Sequence, residues 1–291
     1  MKKFCILTNK SKDPDFIVTK RIEQLIVEEG AECRLLGDPL AEKAYVIDEL
    51  TGRAHFSTEA VPDDTECIII LGGDGTIIET ARAVGCREIP MVGINLGTLG
   101  FLSVVEKTGI EQAIRALIAG EYIVEDRMLL DVTVNHGANV SKSMALNDVT
   151  VTRSGLSRII RTDLYINDEF VGSYSGDGIL VATPTGSTGY NLSAGGPIVT
   201  PEAELMCITP ICPHTLQHRS IVVSAKEKIK IVVGEKKKSQ EVESYATIDG
   251  QMAIGLETGD SILIEKASAV TKLIRFPEQS YFNVLHSKLN S

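Results

Sequence analysis

The sequence of 291 residues is longer than one typical domain, so two domains are the first expectation. Its 29 basic and 39 acidic side chains give a formal net charge of -10, which argues against binding nucleic acid by neutralising its phosphates. The six cysteines form no CxxC pair and no run of eighteen apolar residues occurs, and because the first apolar run is broken at Thr8 and Asn9 we expect no signal peptide. We therefore expect a cytoplasmic protein with no protein-bound metal and no membrane partner.

The first third of the chain alternates between strand and helix patterns. A short apolar run at residues 4–7 is followed by apolar residues at helical spacing that end at Gly30. The pattern recurs with a strand at 67–71, a glycine-rich turn, a helix from Thr76 to Val84, and a strand at 90–94. This alternation predicts an α/β domain of Rossmann-like type with a parallel sheet.

The later sequence changes to β-structure. Residues 37–66 have weak periodicity and predict a long connection, and residues 110–119 predict a helix. Beyond it, alternating or β-branched runs occur at 128–135, 157–167 and 228–234. The sequence thus predicts an α/β nucleotide-binding domain over 1–122, a mostly-β sandwich domain over 123–270, and a C-terminal tail, 271–291, that packs back on the first domain.

The first candidate site is the turn LGGDGT, between the predicted strand at 67–71 and the following helix. Its glycines let a phosphate approach the backbone, and the helix N-terminus offers free N–H groups. Asp74 is unexpected there, because a carboxylate repels phosphate unless it binds a hydroxyl, accepts a proton or holds Mg²⁺. The alternative is a tight turn in which Asp74 only caps the helix.

A second glycine-rich segment, GINLGTLGF at 93–101, follows the next predicted strand. It matches neither the Walker motif nor the GxGxxG pattern of dinucleotide-binding domains. Two interpretations stay open. The segment can line a ligand site with its backbone, or it can be a crowded turn.

Residues 175–197, SGDGILVATPTGSTGYNLSAGGP, combine six glycines with many hydroxyl groups. The hydroxyls can bind polar ligand edges, Tyr190 offers an aromatic face for a base, and Asp177 can bind an amide or a hydroxyl. Ordinary hairpin chemistry is the alternative.

Two further motifs carry polar groups that can bind a ligand. Asn147 can read an adenine edge and Asp148 can accept from a ribose hydroxyl, although Asn-Asp is also a common turn dipeptide. In CPHTL at 212–216, Cys212 and His214 would point apart on an extended chain. We therefore expect a structural or ligand-shaping role for His214 rather than a catalytic pair.

Together these motifs resemble those of bacterial NAD kinases in order and spacing. The resemblance rests on GGDGT at 72–76, GINLGTLGFL at 93–102, ND at 147–148, the segment from GDG to GGPIV at 176–199, PICPHTL at 210–216 and IDGQ at 248–251. The GGDG turn is shared with lipid kinases and phosphofructokinases, whereas TPTGSTGY with its AGGP tail is far more specific.

The resemblance implies a kinase that transfers the γ-phosphate of ATP to the 2′-hydroxyl of the adenosine ribose of NAD, giving NADP, with a site between the two domains. Asp74 would be the catalytic carboxylate, and Asn147 and Asp148 would hold the adenosine half. The substrate-binding residues that it implies are Gly73, Gly75, Thr76, Leu99, Gly100, Phe101, Asn147, Asp148, Asp177, Thr185, Thr188, Gly189 and Tyr190. Many relatives have Glu at the position of Asp148 and Ala at that of Gly189.

The expected partners are NAD, ATP with Mg²⁺ or another divalent cation, and further copies of the chain in a dimer or tetramer. Two alternatives differ in class. A lipid kinase would share the GGDG turn but is expected to expose an apolar or basic surface, whereas this chain is acidic. A dinucleotide sensor without catalytic activity has no need of a carboxylate such as Asp74 beside phosphate.

Overall fold

The computed structural model describes residues 1–36, 45–47, 54–56, 58–97, 100–154, 159–214, 219–234, 244–278 and 280–290. The chain divides into two compact units. Unit 1 consists of Met1–Asp126 together with Thr271–Ser291, and unit 2 consists of Arg127–Val270.

Unit 1 is an α/β structure. Its elements are β1 (Lys3–Thr8), α1 (Ile17–Glu28), β2 (Glu32–Leu36), β3 (Tyr45–Ile47), β4 (Ala54–Phe56), β5 (Cys67–Leu71), α2 (Asp74–Val84), β6 (Met91–Asn95), β7 (Ser103–Glu106) and α3 (Ile110–Ala119). Strands β2, β1, β5 and β6 pair in that order in parallel, and β7 pairs in parallel with β6. Strands β3 and β4 form a separate antiparallel pair.

The burial of the central strands and of one helix face in unit 1 is that expected for a parallel sheet with helices packed on it. Every residue of β5 and β6 is buried, as expected for central parallel strands that are covered on both faces. Helix α3 places Ile110, Ala113, Ile114 and Leu117 in the same hydrophobic core as α1 and the strands, which is the i, i+3, i+4, i+7 spacing of one helix face. Gly120 ends the helix in the left-handed conformation.

Two local sequence predictions for unit 1 need correction. Helix α2 begins at Asp74 rather than at Thr76, because Gly73 takes the extended backbone of an N-cap and the helical turn starts directly after it. The segment 37–66, expected to be a connection, contains strands β3 and β4 and a short 3₁₀ helix, Thr58–Ala60. Residues 37–44, 48–53 and 57 of that segment lie outside the described residues.

The C-terminal tail forms helix α5 (Tyr281–Leu289). The Tyr281 ring lies 6.5 Å from that of Phe101, measured between centroids. Of the apolar side chains of this helix, Val284 and Leu285 are half-buried and Leu289 is exposed.

Unit 2 is mostly β-structure. Its elements are β8 (Ile123–His136), which begins in unit 1, β9 (Asn139–Ala145), β10 (Asp148–Arg153), β11 (Ile160–Ile166), β12 (Glu169–Gly176), β13 (Gly178–Ala182), α4 (Tyr190–Ser193), β14 (Leu205–Ile211), β15 (Ile221–Ser224), β16 (Ile229–Val233), β17 (Ser244–Ile248), β18 (Met252–Leu256) and β19 (Ser261–Arg275), which ends in unit 1. One antiparallel sheet has the order β15-β14-β13-β10-β17-β18, and a second layer contains β12, β11, β16, β19, β8 and β9.

The two β-layers of unit 2 enclose one hydrophobic core. Val149 and Ile248 from the six-stranded sheet share that core with Leu130, Ile231 and Ile262 from the second layer. These buried residues alternate with more exposed ones along strands such as β16, as in a sandwich. The predicted fold class, an α/β unit followed by a mostly-β sandwich unit, is confirmed.

Candidate active site

In unit 1, the candidate site lies where β5 passes into α2 through the turn LGGDGT. Asn9 follows β1, the strand next to β5, and its side-chain amide donates to the Thr76 hydroxyl at 3.2 Å. Asn9 was not predicted from the sequence. The feature of the sequence that could have indicated Asn9 is its position at the carboxyl end of a parallel strand, where ligands bind in open α/β sheets.

Asp74 joins the two glycine-rich turns of unit 1. Its Oδ2 accepts from the Phe101 amide at 2.8 Å. Its Oδ1 accepts from the Leu102 amide at 3.2 Å and from the amide and hydroxyl of Ser103 at 3.1 and 3.2 Å. The carboxylate therefore fastens the second turn to the first, which is more than a helix cap does.

The hydrogen bonds between Asp74 and the second turn leave no room for a side chain at Gly100. A Cβ at position 100 would lie 2.5 Å from Asp74 Oδ2 and closer still to Oδ1. Within GINLGTLGF, Gly100 is crowded, and its crowding is with the candidate catalytic carboxylate. Leu99, which the resemblance assigns to the substrate site, lies outside the described residues.

In unit 2, a cavity of about 590 Å³ opens beside the six-stranded sheet. Its lining is polar and consists of Asn147, Asp148, Thr150, Thr152, Arg153, Asp177, Tyr190, Thr247, Asp249 and Gly250. Four of the predicted site residues, Asn147, Asp148, Asp177 and Tyr190, lie together in this lining. Arg153 and the threonines were not predicted, because a strand pattern does not show which strand ends border a cavity.

The segment TPTGSTGY, residues 183–190, explains why Asn147 is so closely enclosed. The Thr183 hydroxyl donates to the Leu146 carbonyl at 2.6 Å, and the Thr183 amide donates to the Asn147 carbonyl at 2.9 Å. A Cβ at Gly186 would lie 2.7 Å from the Asn147 Cα and would overlap its carbonyl group. Gly186 therefore allows close backbone packing against Asn147.

Two buried polar atoms of this region have no hydrogen-bond partner among the described residues. They are the side-chain carbonyl of Asn147 and the hydroxyl of Thr185. A buried polar group without a partner is costly, so such atoms favour a ligand that supplies the missing bond. Thr185, Thr188 and Gly189 belong to the turn beside the cavity rather than to its lining.

Asp148 and Asp177 have opposite electrostatic environments in the same cavity. Burial, and then the nearby charge of Asp249, raises the pKa of Asp148 to about 7. The pKa of Asp177 is lowered, first by its hydrogen bond with Arg153, whose Nε lies 2.7 Å from Oδ1. Asp177 is therefore ionised near neutrality, whereas Asp148 titrates there.

Cys212 and His214 lie beside Asp177. The sequence-based expectation of an extended chain is wrong at Cys212, where β14 has ended and φ is 45°. The Cys212 thiol donates a hydrogen bond to the Asp177 carboxylate, and the His214 amide donates to the Ser175 carbonyl at 2.9 Å. Residues 215–218, which complete the CPHTL motif, lie outside the described residues.

The fold, the glycine turn and the polar cavity together define a nucleotide-binding protein. Models of the ATP-NAD kinase N-terminal and C-terminal domains match residues 16–122 and 146–276. The chain belongs to the ATP-NAD kinase family.

Full-length relatives and solved structures agree with this assignment. The chain is 44% identical over 291 residues to the NAD kinase of Lachnoclostridium phytofermentans, covering 99% of each chain. An NAD kinase from Archaeoglobus fulgidus in complex with ATP has a TM-score of 0.76 at 26% identity, covering 99% of this chain and 98% of that one. Yeast NADH kinase complexed with NADH has a TM-score of 0.84 at 23% identity, with coverages of 99% and 88%, and supports the fold.

Among the described residues, no helix combines the length and the apolar character needed to cross a membrane.

Proposed function

We infer that this chain phosphorylates NAD, transferring the γ-phosphate of ATP to the 2′-hydroxyl of the adenosine ribose to give NADP. The observation that carries this inference is the 44% identity to an NAD kinase over essentially the whole of both chains. The polar cavity of unit 2 supports it, because hydroxyl, amide and carboxylate groups suit a dinucleotide better than they suit a lipid.

Asn147, Asp148 and Tyr190 hold the adenosine half of NAD in this proposal. The unpartnered Asn147 side-chain carbonyl accepts from the adenine amino group, and Asp148 accepts from a ribose hydroxyl. Tyr190 is 44% exposed, so its ring is accessible as a stacking surface. Asp177, held by Arg153, accepts a hydrogen bond from the amide end of NAD. Thr185, Thr188 and Gly189 complete the segment that binds the substrate.

Asp74 is the proposed catalytic carboxylate. Its Oδ1 already accepts three hydrogen bonds, whereas Oδ2 accepts one from the Phe101 amide. Oδ2 therefore has the lone pair that receives the hydrogen of the 2′-hydroxyl. In an in-line transfer, the ribose oxygen attacks the γ-phosphorus, the bond to the ADP oxygen breaks, and the hydroxyl proton passes to Oδ2.

The donor enters as ATP complexed with Mg²⁺ or another divalent cation, so the cation belongs to the substrate. Among the described residues, no group of three His, Cys, Asp or Glu side chains is arranged to hold a metal ion. We propose that the backbone of the GGDGT turn, including Gly73, Gly75 and Thr76, receives phosphate charge, and that Leu99, Gly100 and Phe101 border the substrate.

We also propose that the enzyme works in the cytoplasm as a dimer or tetramer. Its six cysteines are free thiols, which suits a reducing compartment. Phe170 and Val171, on the end strand β12, are 54% and 42% exposed, and burial of such side chains favours association. Light scattering of the protein as it elutes from a size-exclusion column measures the number of chains in the assembly.

The test of function is incubation of the purified protein with Mg-ATP and NAD, with the product detected by an NADP-specific dehydrogenase. The expected result is NADP that accumulates with time and requires both substrates. Phosphorylation of diacylglycerol or sphingosine without NADP formation would contradict the proposal and favour the lipid kinase alternative.

A further inference from the structure

The hairpin turn between β17 and β18 contains an aspartate that the turn itself does not explain. The Gln251 amide donates to the Ile248 carbonyl at 3.0 Å, and Ile248 pairs with Met252. The two central residues, Asp249 and Gly250, have φ values of 51° and 65°. This is the geometry of a type I′ turn, in which Asn is at least as favourable as Asp at the first central position. The carboxylate must therefore be explained by what it contacts.

The Asp249 carboxylate accepts from three consecutive backbone amides on a segment about one hundred residues earlier. Oδ2 accepts from the Leu146 amide at 3.0 Å, and Oδ1 accepts from the amides of Asn147 and Asp148 at 2.7 and 3.1 Å. In return, the Asp249 amide donates to the Asp148 carbonyl at 2.9 Å. Four hydrogen bonds thus fix the backbone from which the Asn147 and Asp148 side chains enter the cavity. Charge-assisted bonds of this kind are the stronger ones in proteins.

This arrangement has an electrostatic cost. Asp148 is 5% exposed, and it faces Asp249 from the hairpin turn and Tyr190 from α4. The charge of Asp249 adds to burial in raising the pKa of Asp148. An amide at position 249 would keep the turn and remove this repulsion, so the carboxylate is explained by the three amides that it holds.

We propose that Asp249 is a positioning residue, which holds Asn147 and Asp148 in the orientation that receives the adenosine half of NAD. This proposal rests on the proposed function through the substrate assigned to the cavity. In this proposal Asp249 acts through the Leu146–Asp148 backbone, which its carboxylate and amide hold by four hydrogen bonds.

The test compares Asp249→Asn with Asp168→Asn. Asparagine keeps the left-handed turn but replaces one acceptor oxygen with an NH₂ group that cannot accept from an amide. Asp168 is the matched control, because it is an exposed aspartate with a φ of 64° in the β11–β12 hairpin turn. Asp249→Gly is the second variant, since glycine also accepts the turn geometry and removes the side chain.

The expected result for Asp249→Asn is a KM for NAD raised roughly ten-fold or more, with kcat within about three-fold of the parent and an unchanged KM for ATP. The KM for NAD of the parent rises as pH falls through about 7, since protonated Asp148 loses an acceptor. In Asp249→Asn this rise moves to lower pH, because one of the two causes of the raised pKa is gone. Asp168→Asn retains the parent's KM and pH profile.

Hydrogen exchange separates failure of this inference from failure of the proposed function. Exchange of the Leu146, Asn147 and Asp148 amides should be faster in Asp249→Asn and Asp249→Gly than in the parent and in Asp168→Asn, whether or not NADP is formed. Unchanged exchange in both Asp249 variants would overturn the positioning role. Faster exchange with an unchanged KM for NAD would also overturn it, because the held segment would then not serve the substrate.

Discussion

Gly100→Ala perturbs Asp74 without changing the carboxylate itself. The new Cβ would lie 2.5 Å from Oδ2 and closer still to Oδ1, so the carboxylate or the turn must move by at least about 1 Å to reach ordinary van der Waals separation. A displacement of about 1 Å at a reacting group reduces turnover on the order of 10²-fold. We therefore expect kcat to fall by about that factor.

Gly97→Ala is the control from the same turn. Among the described residues, the nearest atom to a Cβ at position 97 would be the Asn95 Oδ1, at 3.8 Å, which is an ordinary contact. The assay is kcat at saturating Mg-ATP and NAD, read through an NADP-specific dehydrogenase, with NAD affinity measured by calorimetry. If Gly100→Ala and Gly97→Ala turn over equally, within about three-fold of the parent, then the exact position of Asp74 does not limit the reaction and the reasoning fails.

Two further predictions concern Tyr190 in the cavity of unit 2 and His214, which lies beside Asp177. Tyr190→Ala should raise the KM for NAD about five-fold or more, because base stacking on an aromatic ring contributes roughly 1 to 3 kcal/mol; an unchanged KM would leave the ring without a role in binding. His214→Gln should lower stability or NAD affinity modestly while the rate at saturation and the shape of its pH profile are retained; loss of a limb of that profile would instead assign His214 to catalysis.

The local elements could be predicted from the sequence, because their signals are local. The apolar run CIIIL forms the buried strand β5. Helix α3 shows the helical spacing of its apolar residues, Ile110, Ala113, Ile114 and Leu117. The residues of the unit 2 cavity were partly predictable as well, since Asn147, Asp148, Asp177 and Tyr190 all lie in its lining.

The contacts that give these residues their positions could not be predicted, because they join distant parts of the chain. Asp74 bonds to amides 27 to 29 residues later, and Asp249 holds amides 101 to 103 residues earlier. No periodicity records such a pairing. The left-handed backbone at Cys212 was missed for a related reason, since the end of a strand is set by its neighbours in the sheet rather than by its own residues.

The proposed catalytic role of Asp74 is tested most directly by kcat of the Asp74→Asn variant, measured alongside calorimetric binding of NAD. With its oxygen at the Oδ1 position, the amide keeps the bonds from Leu102 and Ser103 that fasten the second turn, and it removes the charge and the basic site at Oδ2. NAD should therefore bind with near-parental affinity, while kcat falls by roughly 10²- to 10⁴-fold, the usual contribution of a positioned acid or base. A variant that binds NAD normally and turns over within a few-fold of the parent would contradict the assignment and move the catalytic role to Asp148 or Asp177.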